Sequence, residues 1–406
     1  MEMLAIVNDI EEILLGDSDE GSESEEDIGK VDPSLVNKAV VTGTDWTADT
    51  ILNQLKKGNI VLDPAFQRRD AWNDKRKSKF IESLILGLPI PQIVLAESQE
   101  SKGTFLVIDG KQRLLTLQRF AGIGLDADTD PLKLSGLDVR EDLNGKTFAD
   151  LENNAQLSRY LSAFENQTIR TVVVRNWQNE RVLYLIFHRL NTTSVALSPQ
   201  ELRQALHPGD FLRFAAKYSE GSPGLKRVLK LDKPDFRMRD VELLIRYYAY
   251  KNFLPEYPGN LKEFLDETCK QLNRKWKQKE DVLRKQAEQL ERAIKTVFRI
   301  FGPAGAFRKW DGERFERSPN RAVFDIMTYY FSDPSLRKAA RAAASDVKDE
   351  FKTLCNDDER FRRSIETTTK SIEANRIRFT VWARTLSKTL GLKVEAPIFQ
   401  KATGKK

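Results

Sequence analysis

Apolar residues follow two rhythms along this chain, and the change between them divides it. Between about residues 40 and 210, short β-branched runs alternate with short amphipathic segments. Residues 51–58 read as a helix closed by Gly58, and Ile60, Val61 and Leu62 as a short strand ended by Asp63 and Pro64. Residues 75–86 place Phe80, Ile81, Leu84 and Ile85 at helical core spacing, with Gly87 as the stop. Residues 90–96 and 104–108 read as a neighbouring pair of strands that feed a helix over 111–121. A further strand is expected over 169–174 and a helix over 180–190. Ser198, Pro199 and Glu201 then form a capping box with proline in the first turn, which opens the next helix. From about residue 225 the period is helical throughout, with expected helices over 240–250, 261–301, 320–331, 335–351 and 376–390. The class is therefore α+β, a mixed domain over 40–215 followed by a helical domain over 225–395.

The first 35 residues belong to neither rhythm. Leu4, Ile6, Val7, Ile10, Ile13 and Leu14 suit one short amphipathic helix. Residues 16–32 are acidic and serine-rich, and too poor in apolar side chains to order themselves, so 1–35 reads as a disordered tail. Residues 1–32 carry 12 acidic residues and one lysine, so a chain of net charge +6 has a body of +17. A basic body suits a polyanionic ligand, or else a surface simply rich in solvated lysine and arginine. No apolar run approaches the roughly 20 residues of a membrane span, and the acidic N-terminus is no secretory signal. Two cysteines, Cys269 and Cys355, make no disulfide framework, which points to the cytoplasm. Two histidines, His188 and His207, are too few for a zinc site or a histidine-dependent metal nuclease.

Four polar clusters carry the candidate chemistry. In the first, Gln67, Arg68 and Arg69 lie between Phe66 and Trp72; arginine suits bidentate phosphate contacts and the aromatics suit base stacking. The alternative is a loop whose aromatics pack inward while its arginines stay in water. The second is Asp109-Gly110-Lys111-Gln112-Arg113, where a strand turns into a helix that opens with two cations. That reverses ordinary helix electrostatics and is explained by an anion at the helix start, with Asp109 as cap and orienting group. An acidic cap followed by a solvated lysine reads almost as well. In the third, Asn191, Thr192, Thr193 and Glu201 offer oxygens suited to Mg²⁺, ribose or phosphate, or else Glu201 is only the reciprocal half of the capping box. In the fourth, Arg237, Arg239, Asp240 and Glu242 alternate at a helix start, as a structural network joining the two domains would.

In this order the clusters resemble one family. The chain reads Pro-x-Phe-Gln-Arg, then Ile-Asp-Gly-x-Gln-Arg-Leu-x-Thr-Leu, then Phe-x-Arg-Leu-Asn-Thr with Leu-Ser-x-x-Glu-Leu, then Arg-x-x-Asp-x-Glu-Leu. Over about 45–250 this is similar to the GmrSD-type N-terminal domain of modification-dependent restriction and phage-defence proteins. The resemblance implies a ParB/sulfiredoxin-like core and a nucleoside triphosphate bound, and in some readings hydrolysed, at the turn. It implies phosphate and nucleotide contacts from Gln67, Arg68, Gly110, Lys111, Gln112, Asn191 and Thr192. Asp109, Arg113 and Glu201 would take the catalytic roles, and by analogy with the ParB branch Asn191 and Glu201 would hold Mg²⁺. Two departures stand out. Lys111 replaces the family's usual glutamine, which keeps phosphate binding and puts water orientation in doubt. No histidine follows His207, so the His-Asn-His nuclease of restriction members is not expected here, and cleavage would fall to a separate nuclease subunit.

The implied function is a nucleotide-binding sensor or regulatory component of defence. Its rivals are a DNA-binding protein that follows the phosphate backbone with Lys275, Lys277, Lys279, Arg284 and Lys285, and an interaction scaffold.

Overall fold

A computed structural model describes residues 33–62, 69–125, 129–190, 198–366 and 370–399. The segments read above as an amphipathic helix and an acidic stretch lie outside the described residues. The chain divides into two compact units, with the boundary between Leu206 and His207.

The first unit runs α1 (Pro33–Lys38), β1 (Val40–Thr47), α2 (Ala48–Lys56), β2 (Ile60–Val61), α3 (Asp74–Ile85), β3 (Ile93–Glu97), β4 (Phe105–Asp109) and α4 (Lys111–Phe120). It continues through α5 (Phe148–Asn153), α6 (Ser158–Asn166), β5 (Thr168–Arg175), α7 (Glu180–Leu190) and α8 (Pro199–Leu206). The strands form one five-stranded sheet, ordered β1-β5-β3-β4-β2. β1 pairs antiparallel with β5 along its whole length, from Val40 opposite Arg175 to Thr47 opposite Thr168. β3 is antiparallel to β4 and parallel to β5, while β2 lies parallel to β4.

Period-two alternation explains why both faces of this sheet are covered. Ile93, Leu95, Phe105, Val107, Ile169 and Val173 point to one face, against Leu52 of α2, Leu84 of α3, Leu117 of α4 and Phe164 of α6. Val94, Ala96, Ile108 and Val174 point to the other, against Leu183 and Phe187 of α7 and Leu202 of α8. The expected strands and helices of this region form within a few residues of the pattern. The short helices α1, α5 and α6 and the strand β1 are not among the expected elements, and the VVTGTDWT sequence of β1 shows no clean alternation. β1 is an edge strand, with Val40 and Val41 exposed, so burial imposes little pattern on it.

The second unit runs α9 (Asp210–Gly221), α10 (Pro223–Leu229), α11 (Arg239–Phe253), α12 (Leu261–Arg274), α13 (Trp276–Gly305), α14 (Arg321–Phe331), α15 (Pro334–Ala342), α16 (Ala344–Asp357), α17 (Glu359–Glu366) and α18 (Ile372–Leu390). α11 is buried all round from Asp240 to Tyr250, as the central helix of a bundle must be. Helix formation breaks at Gly302 (φ 72°), before Pro303, and at Ala343, which splits the single helix expected over 335–351. Ser371 caps α18 through the amide of Ala374, so that helix starts earlier than its apolar pattern suggests. Cys269 and Cys355 are both free and buried. Among the described residues no helix is long and apolar enough to cross a membrane.

The helical unit also buries charge. Arg246 on α11 donates from Nε to Asp325 Oδ1 (3.0 Å) and from Nη2 to Oδ2 (2.6 Å), with both side chains essentially inaccessible. Burial opposes the guanidinium charge, but Asp325, Tyr250 and Glu242 outweigh it and hold the Arg246 pKa above its ordinary value. Glu242 accepts from Arg321 Nε (3.1 Å), and Arg378 donates to Ser364 O (3.1 Å) and Asn375 Oδ1 (2.6 Å). The fourth polar cluster is thus structural. Glu242 pairs with Arg321 and Arg239 with Asp235, both pairs within the helical unit.

Candidate anion site at the β4–α4 turn

The apolar residues of β4 bury it in the sheet and end it at Asp109. Gly110 then turns the chain with φ 97° and ψ 10°, a conformation that suits glycine and strains other residues. A Cβ there would lie 3.0 Å from Ile93 Cγ1 and 3.3 Å from Arg113 Nη2, so space as well as backbone geometry selects glycine. Gly110 is the N-cap of α4 and supplies no side-chain cap. Its carbonyl accepts from Leu114 (3.0 Å), the first bond of the helix. The amides before Leu114 belong to the set a helix start cannot satisfy within itself. The expected capping role of Asp109 is therefore not realised. Its carboxylate turns instead to Arg113, whose Nη2 donates to Asp109 Oδ2 (3.0 Å) and to Gln92 O (2.8 Å).

Lys111 does not stand in water. Its side chain is 4% exposed, and its ammonium pairs with Oε1 of Glu201, which is also 4% exposed. An isolated buried ammonium would be penalised by several kcal/mol, so a carboxylate partner is what permits lysine here. The capping box delivers that partner. Ser198 Oγ accepts from Glu201 N (3.0 Å), and Glu201 Oε2 accepts from Ser198 N (2.6 Å). This fixes Glu201 in the first turn of α8, which packs by Leu202 on the same face as Ile108 of β4. Two residues 90 positions apart thus meet beside the turn. Glu201 is both the box residue and an ionic partner, a combination that neither reading of the third cluster contained.

Two donors near this pair are buried without an acceptor among the described residues. One is Arg113 Nε; the other is Gln200 Nε2, whose Oε1 accepts from Arg203 (2.7 Å). Buried donors of this kind are rare in proteins unless water or a ligand completes them. Gln112 faces elsewhere, its Oε1 accepting from the amide of Ala71 (3.2 Å) and tying the helix start to the end of the first cluster. In that cluster Trp72 packs inward, edge-on to Phe80 at 5.7 Å, yet Arg69 is buried rather than solvated. Asp70 pairs with buried Lys77. Gln67, Arg68, Asn191 and Thr192 lie outside the described residues. The structure thus brings Asp109, Gly110, Lys111, Arg113 and Glu201 together and adds Gln92 and Gln200, which the sequence did not single out. Gln200 sits inside the capping-box motif, but nothing in its spacing distinguishes it from an ordinary first-turn residue.

The donor set is a poor fit to Mg²⁺ as it stands. Glu201 has one oxygen on the Lys111 ammonium and the other on a backbone amide, and Asp109 is held by Arg113. Among the described residues no group of three metal-ligating side chains includes either carboxylate. The uncapped helix start, the αL glycine and the buried guanidinium fit an anion better.

Residues 49–208 match the sequence model of a family described as GmrSD restriction endonuclease, N-terminal domain. That span covers the whole of the site, from the first polar cluster to the end of α8. No curated protein and no solved structure matches the chain.

Proposed function

Because residues 49–208 are a domain of the GmrSD N-terminal family, we propose that this protein is a nucleotide-binding component of a restriction or phage-defence system, with the β4–α4 turn as its phosphate site. The observation that carries the reading is the start of α4. A ten-residue helix opens without a side-chain cap, behind an αL glycine, beside a buried arginine with an unsatisfied Nε. Helix-start amides, a positive helix end and a guanidinium converge on what a phosphate requires. Arg113 is the principal phosphate ligand, and Asp109 and the Gln92 carbonyl position it. Gly110 lets the backbone approach the anion. The family resemblance assigns further nucleotide contacts to Gln67, Arg68, Asn191 and Thr192. The ligand class is a nucleoside triphosphate. Hydrolysis at such a site rests on charge stabilisation and an oriented water rather than on a covalent intermediate. Two buried free cysteines accord with a cytoplasmic setting. Cleavage of DNA is assigned to a separate nuclease subunit.

The test is direct binding of ATP, GTP, CTP and UTP to the full chain and to Arg113→Ala. We expect one or more nucleotides to bind, and binding to fall by about tenfold to a hundredfold in the variant, as loss of a charge-assisted contact implies. Absence of binding by all four would overturn the reading. Turnover of the bound nucleotide separates an NTPase from a sensor.

A second reading rests on α13, where Lys275, Lys277, Lys279 and Lys285 are exposed at or near its N-terminal end, available to a nucleic-acid backbone. Arg284 is less available, since it pairs with Glu280 and stacks on Phe214. Binding of duplex DNA that weakens steeply with salt would support this reading.

A further inference from the structure

We infer that in this chain the Lys111 ammonium takes the place of a divalent cation beside Glu201, so that the nucleotide at the β4–α4 turn is held without a metal coordinated by the protein. The inference rests on the nucleotide reading above and concerns how that same site is charged.

Two carboxylates lie at the turn, and each is already matched by a cation from the first turn of α4. Asp109 is held by Arg113 at 3.0 Å, and Glu201 by Lys111. The four side chains sum to zero charge. A divalent cation approaching Glu201 would meet an ammonium on Oε1 and a backbone amide on Oε2, with both side chains buried. Mg²⁺ demands oxygen ligands at about 2.0–2.1 Å in near-octahedral array and sheds water reluctantly. It gains a place here only by expelling the ammonium, since two cations on one buried carboxylate repel strongly at low dielectric. Lys111 cannot simply swing into water while Glu201 takes a metal, because the ammonium begins at the first residue of α4 and is enclosed with its partner.

The ammonium supplies one positive charge and up to three hydrogen-bond donors, but it is not a Lewis acid. It therefore compensates a bound phosphate without polarising it as a coordinated metal would. The chemistry that follows is retention of an intact triphosphate, with occupancy as the output. Glu201 is then a positioning residue, which holds Lys111 in register with the helix start.

The test uses the full chain, Lys111→Gln, Glu201→Gln, and the two substitutions combined. Circular dichroism first establishes that each is folded. Glutamine keeps a donor toward Glu201 and removes the charge. Two readouts are taken: Mn²⁺ binding by electron paramagnetic resonance without nucleotide, and affinity for ATP, GTP, CTP and UTP by calorimetry in Mg²⁺ or in EDTA. The native chain should bind no Mn²⁺ at this site, and its nucleotide affinity should differ by less than about threefold between Mg²⁺ and EDTA. Lys111→Gln should gain a Mn²⁺ site that the double variant lacks. Its nucleotide affinity in EDTA should fall about tenfold or more and recover with Mg²⁺. Native binding that collapses in EDTA, or a native Mn²⁺ site lost in Glu201→Gln, would overturn the inference, as would a Lys111→Gln variant that gains no Mn²⁺. If no nucleotide binds the native chain under either condition, the nucleotide reading fails, and the Mn²⁺ arm still decides whether lysine stands in for the metal.

Discussion

Both units of this protein bury ion pairs, and the two burials differ in kind. In the helical unit Arg246 and Asp325 meet through two parallel hydrogen bonds at 3.0 and 2.6 Å, deep on α11 and α14. This fork-to-carboxylate geometry uses both carboxylate oxygens on one partner and suits a permanent structural link. At the β4–α4 turn the cation is a lysine, a point charge on a flexible stem, and the neighbouring donors Arg113 Nε and Gln200 Nε2 have no acceptor among the described residues. Burial of charge alone therefore does not mark a functional site. What separates the two regions is the grip itself, a two-point fork in one and a single lysine contact beside an uncapped helix start in the other.

Breaking the structural pair should have the largest effect. Asp325→Ala removes the carboxylate that Arg246 grips and leaves its guanidinium buried, so a loss of about 3–5 kcal/mol is expected in urea denaturation. Recovery of most of that stability by Arg246→Met in the Asp325→Leu background would confirm that the pair is not required for the fold; no recovery would mean it has a further role. The same interior disfavours unpaired charge at Cys355, where burial pushes the thiol up to about 12. A thiol raised above its unfolded value of about 8.5 contributes stability at neutral pH that fades as pH rises through that range, by about 2 kcal/mol at pH 10. Cys355→Ala should flatten this part of the stability profile, and an unchanged profile would place the alkaline loss elsewhere. In the sheet unit, Gly110→Ala combines positive φ with a 3.0 Å contact, and should cost about 1–3 kcal/mol while weakening nucleotide binding through the displaced helix start. Smallest is Ser198→Ala, which removes one arm of the capping box and should lower stability by about 1 kcal/mol. If it also alters nucleotide affinity, the box is part of the site's geometry as well as of the helix.

Much of this was legible in the residues. Largely apolar, β-branched runs over 90–96, 104–108 and 169–174 led to the three inner strands, because strands covered on both faces must be apolar along their length. The αL glycine and the cationic helix start were local features of five consecutive residues. Two things were not legible. β1 is an edge strand half in water, so no alternation announces it. The Lys111–Glu201 pair joins residues 90 apart, and each alone suggested a different role: phosphate ligand for the lysine, metal ligand for the glutamate. Only the packing of α8 on the β4 side of the sheet makes them partners. The two orphaned donors are invisible in sequence for the same reason, since satisfaction is a property of neighbours brought together by the fold.

The register of β1 with β5 also has a consequence in time. Val40 and Arg175 are opposite each other across the sheet, and β5 lies between β1 and β3. On a ribosome the first strand must wait, with its apolar edge unpartnered, until some 130 further residues have emerged. The helical unit, whose helices often pack on near neighbours in sequence, carries no such delay. Pairings this distant fold slowly relative to local helix packing, and the candidate anion site, which needs both the β4–α4 turn and α8, can form only once the chain has been made through Leu206. A chain interrupted before Thr168 would present open strand edges to its neighbours and would be prone to aggregate.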